Sequence, residues 1–135
     1  MNVAITRIYH FSAAHQLVNP ALSADANAAL YGACHRPHGH NYYLEVTVAG
    51  RPDPVTGMAV DLGALDGAVS RAVLDRVDHR ALEQVDALAG VITTGEGLAR
   101  AFWKILAPEV GAGTLKRVTV VETAKNRFDY EGGES

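Results

Sequence analysis

The stretch GHNYYLEVTVA, residues 39–49, decides the fold, because its side chains alternate between the two faces of an extended chain. One face begins with His40 and Tyr42 and continues with leucine and valine, whereas the other carries asparagine, tyrosine, glutamate and threonine. Residues 3–14 alternate in the same way and predict a neighbouring strand. Two further strands are predicted nearer the end of the chain, at residues 115–123 and 127–130.

Two amphipathic helices are predicted between these pairs of strands. Asp61 has the side chain of an N-cap, and apolar residues follow it at helical spacing until Asp78. Thr93 and Glu96 fit a capping box that begins a second helix. Pro108 and the glycines that follow it are expected to end this helix.

The resulting element order, β-β-α-α-β-β, is typical of an α+β domain in which two helices cover one face of an antiparallel sheet. We assign residues 1–130 to a single domain. Residues 131–135, which are rich in glycine and charge, are predicted to form a flexible tail. The Asn19-Pro20 step is predicted to open a connecting loop that continues to about Gly32.

The composition predicts a thin core. The 135 residues are 48% hydrophobic, but alanine supplies 22 of the apolar side chains and buries little area. Both faces of residues 39–49 carry large side chains, although a fully solvated face should be polar. We therefore expect the face without helices to pack against another copy of the chain, in a homo-oligomer.

Charge and hydropathy exclude several function classes. The net charge of −3, without a run of lysine and arginine, argues against nucleic acid or a membrane surface as a partner. No stretch approaches the roughly 18 apolar residues of a membrane span, and the N-terminus lacks the pattern of a signal peptide. We expect a cytoplasmic protein. Its single cysteine, Cys34, cannot form an internal disulfide.

The histidines are concentrated in one part of the chain, since five of the six lie in residues 10–40. His38 and His40 point to the same side of a strand, about 6.5–7 Å apart along it, and His15 ends the neighbouring strand. Three neutral imidazoles with one open position are typical of catalytic zinc. Two alternatives stay open: a closed structural site with Cys34 as fourth ligand, and histidines that alternate along a strand without binding metal.

Two segments carry these histidines in a recognisable pattern: Phe11-Ser-Ala-Ala-His15 and Cys34-x-x-x-His38-Gly-His40-Asn-Tyr42. Four shorter segments follow them: Gly57-Met-Ala-Val-Asp61-Leu62, Asp78-His79, Thr93-Thr-Gly-Glu96 and Val120-Val-Glu122-Thr123. In this order the segments resemble the family of 6-pyruvoyl-tetrahydropterin and 6-carboxy-tetrahydropterin synthases. The resemblance covers nearly the whole chain.

The resemblance implies a tunnelling fold (T-fold), in which the sheets of three subunits close a barrel. It further implies a hexamer of two stacked trimers, with active sites between subunits. It implies that zinc is the cofactor, held by His15, His38 and His40.

The resemblance also implies roles for residues around the metal. Cys34 would be the catalytic thiol, and Asp78 and His79 its proton relay. The pterin ring would be anchored by Glu122 and contacted by Thr93 and Thr94. Without the family, the pattern of Asp78-His79 favours an ordinary cap at a helix C-terminus. Glu122 is then as well explained by a salt bridge with Lys116 or Arg127.

The four-residue step from Cys34 to His38 resembles the carboxy-forming branch of the family. This branch implies a zinc-dependent lyase that converts 7,8-dihydroneopterin triphosphate to 6-carboxytetrahydropterin, with release of acetaldehyde and triphosphate, for queuosine-type nucleosides. The alternatives are the pyruvoyl-forming synthase of tetrahydrobiopterin synthesis and a non-catalytic zinc or pterin-binding module. The chain departs from the family's usual residues at Gln16, Gly95 and Gly97, where arginine, alanine and asparagine are common.

Overall fold

The structure, a computed structural model, describes residues 2–111 and 113–133. Its strands are β1 (Val3–His15), β2 (His38–Gly50), β3 (Arg80–Ala81), β4 (Leu115–Thr123) and β5 (Asn126–Tyr130). They form one sheet in the order β3-β1-β2-β4-β5. All neighbours pair antiparallel except β1 and β3, which run parallel. With helices on one face, the sheet confirms the predicted α+β class.

The pairing of β1 with β2 fixes the positions of the histidines. The two strands pair along their whole length, and His15 lies opposite His38. On the side of the sheet that faces the helices, Phe11 and Tyr42 stack with ring centroids 4.8 Å apart and are fully buried. A slip of one residue would move every side chain of a strand to the opposite face. The buried apolar side therefore holds the strands in this register.

The helices are α1 (Ala24–Tyr31), α2 (Leu62–Val69), α3 (Asp75–Val77) and α4 (Gly95–Val110), and a π-helical turn at Ser70–Leu74 joins α2 to α3. As predicted, Asp61 caps α2, because its Oδ1 accepts a hydrogen bond from the N–H of Ala64 at 3.0 Å. α4 packs on β4 and β5, and α2 packs on α4. Among the described residues, no helix is long and apolar enough to cross a membrane.

α1 lies inside the segment predicted to be a loop. Ser23 caps this helix by accepting a hydrogen bond from the N–H of Ala26. The buried side chain of Asn27 ties it to the preceding turn, since Oδ1 accepts from the N–H of Asn19 and Nδ2 donates to the carbonyl of Asn19. Polar side-chain bonds, rather than an apolar face, hold this helix in place. Hydrophobic periodicity therefore gave no signal for it.

The N-cap of α4 is Thr94, one residue later than predicted. Thr94 Oγ1 accepts a hydrogen bond from the N–H of Gly97 at 3.0 Å. Thr93 precedes the cap and is buried, with its hydroxyl engaged elsewhere. Two adjacent threonines satisfy the same sequence pattern, so the pattern did not distinguish them.

The C-terminal end of α4 also differs from the prediction. The helix continues through Pro108 to Val110, and Gly111 follows with φ 94°. Proline has a helical φ and removes only one N–H, so the last turn of the helix persists beyond it. The glycine, in a conformation that other residues avoid, ends the helix instead.

The face of the sheet turned away from the helices is uncovered in a single chain. Ile8 and Tyr43 are 62% and 47% exposed on this face, and the ring of His10 lies edge-on to Tyr43 at 5.4 Å. Arg127 forms two hydrogen bonds with Glu45, at 2.8 and 3.1 Å. Large apolar side chains therefore stand among polar ones, as the sequence indicated. That a second copy of the chain covers this face stays a prediction.

The end of the chain packs in part against α4. β5 ends at Tyr130, where the predicted domain also ends. Within the predicted tail, Gly132 lies close to the ring of Trp103 and Glu131 is 3.9 Å from Arg117. Residues 134 and 135 of that tail lie outside the described residues.

Gly95→Ala tests the close packing of α4 on β5. A Cβ at Gly95 would overlap the ring of Phe128, so the core must shift to admit it. We expect the free energy of unfolding to fall by about 1–3 kcal/mol, measured by urea denaturation. Gly113→Ala is the control, because nothing lies within 4 Å of a Cβ there. Equal stability of the two variants would contradict this packing.

Candidate metal centre and surrounding residues

Three histidines meet at one end of the sheet. His15 ends β1, and His38 and His40 lie near the start of β2. The ring centroids are 4.4 Å apart for His15 and His38, 5.0 Å for His15 and His40, and 4.9 Å for His38 and His40. Each ring contributes one nitrogen atom, and these three nitrogen atoms lie within 4.8 Å of one another. The register thus brings together all three predicted ligands.

Hydrogen bonds fix the tautomers of two of these rings. His15 Nδ1 donates to the carbonyl of Thr93 at 2.8 Å, and His38 Nδ1 donates to the carbonyl of Arg36 at 2.7 Å. Because a carbonyl oxygen only accepts, each neutral ring carries its proton on Nδ1 and its lone pair on Nε2. The second ring nitrogen of a metal-bound histidine is commonly held in this way.

Two of the nitrogens lack the partner that burial normally requires. The Nε2 atoms of His15 and His40 are buried and form no hydrogen bond with any described residue. A buried polar atom without a partner is costly, and a cation at the centre of the group would satisfy both atoms. Three imidazole nitrogens suit zinc and other late transition metals. The donor set therefore fits a metal ion.

Burial also keeps the rings in the form that binds metal. Burial lowers the pKa of His15 and of His40, and the neighbouring imidazoles lower the pKa further because their positive forms would repel. Glu122 acts in the opposite direction on both rings. Neutral imidazoles bind a metal ion without first losing a proton.

Cys34 lies outside the histidine group. It is exposed in a 3₁₀-helix, Gly32–His35, and its sulfur does not belong to the set of candidate ligands. The closed site with Cys34 as fourth ligand is therefore not seen. The carbonyl of Cys34 accepts a hydrogen bond from the N–H of Leu17, and His35 Nδ1 bonds to the carbonyl of Leu17 at 3.1 Å. His35, for which the sequence gave no role, thus attaches the cysteine segment to the end of β1.

Asp78 and His79 follow α3 and bind β1. Asp78 Oδ1 accepts hydrogen bonds from the N–H of Ser12 and from Nδ1 of His79, both at 2.9 Å. Both bonds lower the pKa of Asp78, and the bond from Ser12 has the larger effect. His79 is strained at φ 60°, and its N–H donates to the carbonyl of Ser12 at 2.6 Å. Asp78 thus has two roles: its backbone forms the C-cap of α3, and its carboxylate orients the imidazole of His79.

A cleft of about 460 Å³ contains His79 and His40. The side chain of His79 is 82% exposed, so its Nε2 is open to solvent or to a bound molecule. Within the described part of the chain, no hydrogen bond joins Cys34 to Asp78 or His79. A single chain therefore brings His79 to the edge of the histidine group but does not connect it to the cysteine.

Glu122 lies on the same side of the sheet as the histidines. Its Oε1 is 3.6 Å from Nε2 of His40, which is too long for a hydrogen bond. The proposed salt bridge with Arg127 does not form, because Arg127 binds Glu45. No described residue donates a hydrogen bond to Glu122, although its side chain is only 18% exposed. The carboxylate is thus available to a ligand with N–H donors.

Both threonines that were predicted to contact a pterin form internal hydrogen bonds. Thr93 Oγ1 donates to Oε1 of Glu83 at 2.8 Å, and its carbonyl accepts from His15. Thr94 caps α4. Their hydroxyls therefore serve the fold around the histidines, and contact with a ligand stays a prediction.

Two residues near the site were given no role in the sequence analysis. Tyr42 is fully buried beneath the histidines, and its hydroxyl has no partner among the described residues. Burial raises its pKa, as do the charges of Glu122 and Glu83. The sequence did carry a signal for Tyr42, because residues two apart on a strand share a face and Tyr42 must lie beside His40. The sequence carried no such signal for Glu83, because its contacts join distant segments of the chain.

The fold and the histidine group define a class: an α+β protein with a three-histidine site suited to a metal ion. The family model described as 6-pyruvoyl tetrahydropterin synthase matches residues 4–133. The chain belongs to the 6-pyruvoyl tetrahydropterin synthase family, a family of lyase-type enzymes. The resemblance found in the sequence is thereby confirmed.

Individual relatives agree with this assignment. The 6-pyruvoyl tetrahydrobiopterin synthase of Poecilia reticulata is 40% identical over 131 residues, covering 95% of this chain and 89% of the fish protein. The enzyme of the same name from Homo sapiens is 38% identical and covers 95% and 90%. The structure of 6-pyruvoyl tetrahydropterin synthase from Caenorhabditis elegans superimposes with a TM-score of 0.92 at 36% identity, covering 98% and 97%. The tunnelling fold is thus confirmed.

We expect the metal-free protein to lose stability as the pH falls below about 6.5. Because folding lowers the pKa of His15 and His40, the unfolded chain binds more protons in this range and is favoured as the pH decreases. His15 and His40 therefore contribute fully to stability at pH values above their pKa in the unfolded chain. This contribution is lost as the pH falls through their lower pKa in the folded protein. Urea unfolding at pH 7.5, 6.5 and 5.5 measures the slope.

His15→Gln is the variant that checks the origin of this slope, since it removes a buried imidazole. The pH dependence of its free energy of unfolding should be flatter than that of the original protein. An unchanged slope would show that other groups cause it.

Proposed function

We propose that the chain is a zinc-dependent 6-pyruvoyl tetrahydropterin synthase, which eliminates triphosphate from 7,8-dihydroneopterin triphosphate. The observation that carries the proposal is the three-histidine group in a chain that aligns over 95% of its length with synthases of this name. The Cys34–His38 spacing favoured the carboxy-forming branch. The relatives support the pyruvoyl-forming alternative better, and we adopt it.

The proposed reaction balances without an external oxidant. The C–O bond to triphosphate breaks, and its electron pair leaves with the triphosphate. The hydroxyl-bearing carbons of the side chain become carbonyls as their hydrogens move, in part to the pterin ring, so all carbons stay in the product. Every step of this kind needs a group that accepts a proton and a group that returns one.

The metal would be held by His15, His38 and His40. When bound, it supplies a Lewis acid that polarises the hydroxyls of the substrate side chain and lowers their pKa. The neutral imidazoles leave the positive charge of the ion uncompensated, which strengthens this effect. The two buried Nε2 atoms support this ligand set.

Cys34 and His79 are the groups that we propose to move protons. A cysteine beside a metal or an imidazolium favours the thiolate, which accepts a proton. The bond from Nδ1 to Asp78 orients the ring of His79 and leaves its Nε2 exposed for proton exchange. Glu122, which lacks internal donors, is proposed to bind the guanidine-like edge of the pterin through two parallel N–H···O bonds.

We further propose that each active site is completed by another copy of the chain. Both Cys34 and His79 are exposed, and no bond joins them within the described residues. The uncovered sheet face carries apolar side chains such as Ile8 that a partner would bury. These observations support a homo-oligomer of the family's barrel type, with a hexamer as the expected assembly.

Cys34→Ala should keep its metal and lose turnover by about 10²–10⁴-fold, because it removes a proton acceptor but no ligand. Metal content by mass spectrometry and product analysis by chromatography measure the two effects. His38→Ala is the contrasting variant and should lose both.

Three outcomes would contradict the proposal in different ways. Acetaldehyde among the products would favour the carboxy-forming branch. Loss of metal in Cys34→Ala would identify a structural site that includes the cysteine. Metal-loaded original protein without turnover would indicate a binding module.

Mixing two inactive variants tests whether a site is shared. Cys34→Ala and His79→Ala subunits, produced together in one cell, should regain about a quarter of the original activity per site if the two residues come from different copies. Each variant produced alone is the control. Mixed oligomers as inactive as the separate variants would place both residues in one subunit.

A further inference from the structure

We propose that Glu83 is a positioning residue for the metal centre, acting on His15 through a closed ring of hydrogen bonds. This inference rests on the proposed metal-binding function. Glu83 lies in a short 3₁₀-helix, Leu82–Gln84, and does not belong to the histidine group. Its effect on the metal is therefore indirect.

The ring joins three separate segments of the chain. Glu83 Oε1 accepts hydrogen bonds from the N–H of Gln16 at 2.7 Å and from Oγ1 of Thr93 at 2.8 Å. The carbonyl of Thr93 in turn accepts from Nδ1 of His15 at 2.8 Å. Since Gln16 follows His15 directly, the ring closes on the ligand itself. Oε1 of Glu83 thus holds the backbone next to His15 at Gln16, and it also holds Thr93, whose carbonyl orients the ring of His15.

His15 depends on such support more than His38 does. The acceptor for His38 is the carbonyl of Arg36, two residues earlier in the chain. The acceptor for His15 is Thr93, 78 residues away, on the segment that leads into α4. His15 is also buried, at 2% exposure, so water cannot replace a misplaced carbonyl. A contact between such distant segments keeps its geometry only if both sides are fixed.

The two-residue strand β3 explains how Glu83 reaches this position. β3 runs parallel to β1, with Ala81 opposite Ala14. Two residues further along both segments, Glu83 comes beside Gln16 and accepts its N–H. Strand β3 is too short to add much to the sheet, but its pairing with β1 places the carboxylate of Glu83 beside the end of β1 that carries His15.

A charged acceptor forms stronger hydrogen bonds than a neutral one. Removing a group that holds a metal-bound histidine in place typically lowers metal affinity by about 10–100-fold. The charge of Glu83 also acts on Tyr42 beneath the histidines. The carboxylate thus belongs to the surroundings of the metal site without touching the position of the ion.

Zinc titration of the purified full-length protein, in competition with a coloured chelator, tests the proposal. Glu83→Ala should weaken zinc binding by about 10–100-fold. Glu83→Gln should lose less zinc affinity than Glu83→Ala, because its amide oxygen accepts the same two bonds, although more weakly without the charge. Glu109→Ala, an exposed carboxylate near the end of α4, is the matched control and should have no effect.

Thr93→Val and the cobalt spectrum separate positioning from general stability. Thr93→Val keeps the carbonyl but removes the bond to Glu83, so it should weaken zinc binding in the original protein and add little to Glu83→Ala. The visible absorption band of bound Co²⁺ should shift in Glu83→Ala, because one imidazole is less well oriented.

The outcomes separate this inference from the proposed function. Unchanged zinc affinity and an unchanged Co²⁺ band in Glu83→Ala would overturn the inference, even if the variant were less stable. Equal losses in Glu83→Ala and Glu83→Gln would overturn the hydrogen-bond explanation. If instead the original protein and His38→Ala bind zinc equally weakly, the three histidines are not a zinc site and the proposed function fails.

Discussion

The antiparallel register of β1 and β2, with His15 opposite His38, is the constraint on which the site depends. Two long strands hold this register because the face turned to the helices is mostly apolar and buried, and any slip would expose it. At the end of the same face, the side chains change from aliphatic to imidazole. The interactions that stabilise the sheet therefore also bring three ring nitrogens within 4.8 Å of one another.

The environment of the histidines then determines their chemistry. Burial lowers the pKa of His15 and His40, and backbone carbonyls hold the Nδ1 protons of His15 and His38. Burial thus favours the neutral form of His15 and His40, and the Nε2 atoms of these two rings have no hydrogen-bond partner among the described residues. The carboxylate, imidazole and thiol that we propose to act on a substrate lie on separate segments: Glu122 on β4, His79 after α3, and Cys34 before β2. This distribution suits a substrate that is held at one point and exchanges protons at others.

The sequence predicted the long elements because each has a strong local pattern. The long strands alternate, and α2 and α4 carry an apolar stripe, so the class, the order of these long elements and the histidine group could be predicted. Strand β3 has only two residues and is too short to show such a pattern. α1 was missed because Asn27 and Ser23 stabilise it by polar contacts. The cap of α4 was misplaced between Thr93 and Thr94, which no local pattern separates. Glu83 was missed because its bonds join residues far apart in the chain, a relation that spacing does not express.

X-ray absorption at the zinc edge of the reconstituted protein tests the central claim most directly. The account predicts one ion per chain with three imidazole nitrogens at about 2.0–2.1 Å and no sulfur ligand. This nitrogen shell should be lost when any one of the three histidines is replaced. A sulfur neighbour at about 2.3 Å would contradict the account, because it would make Cys34 a ligand of a closed structural site.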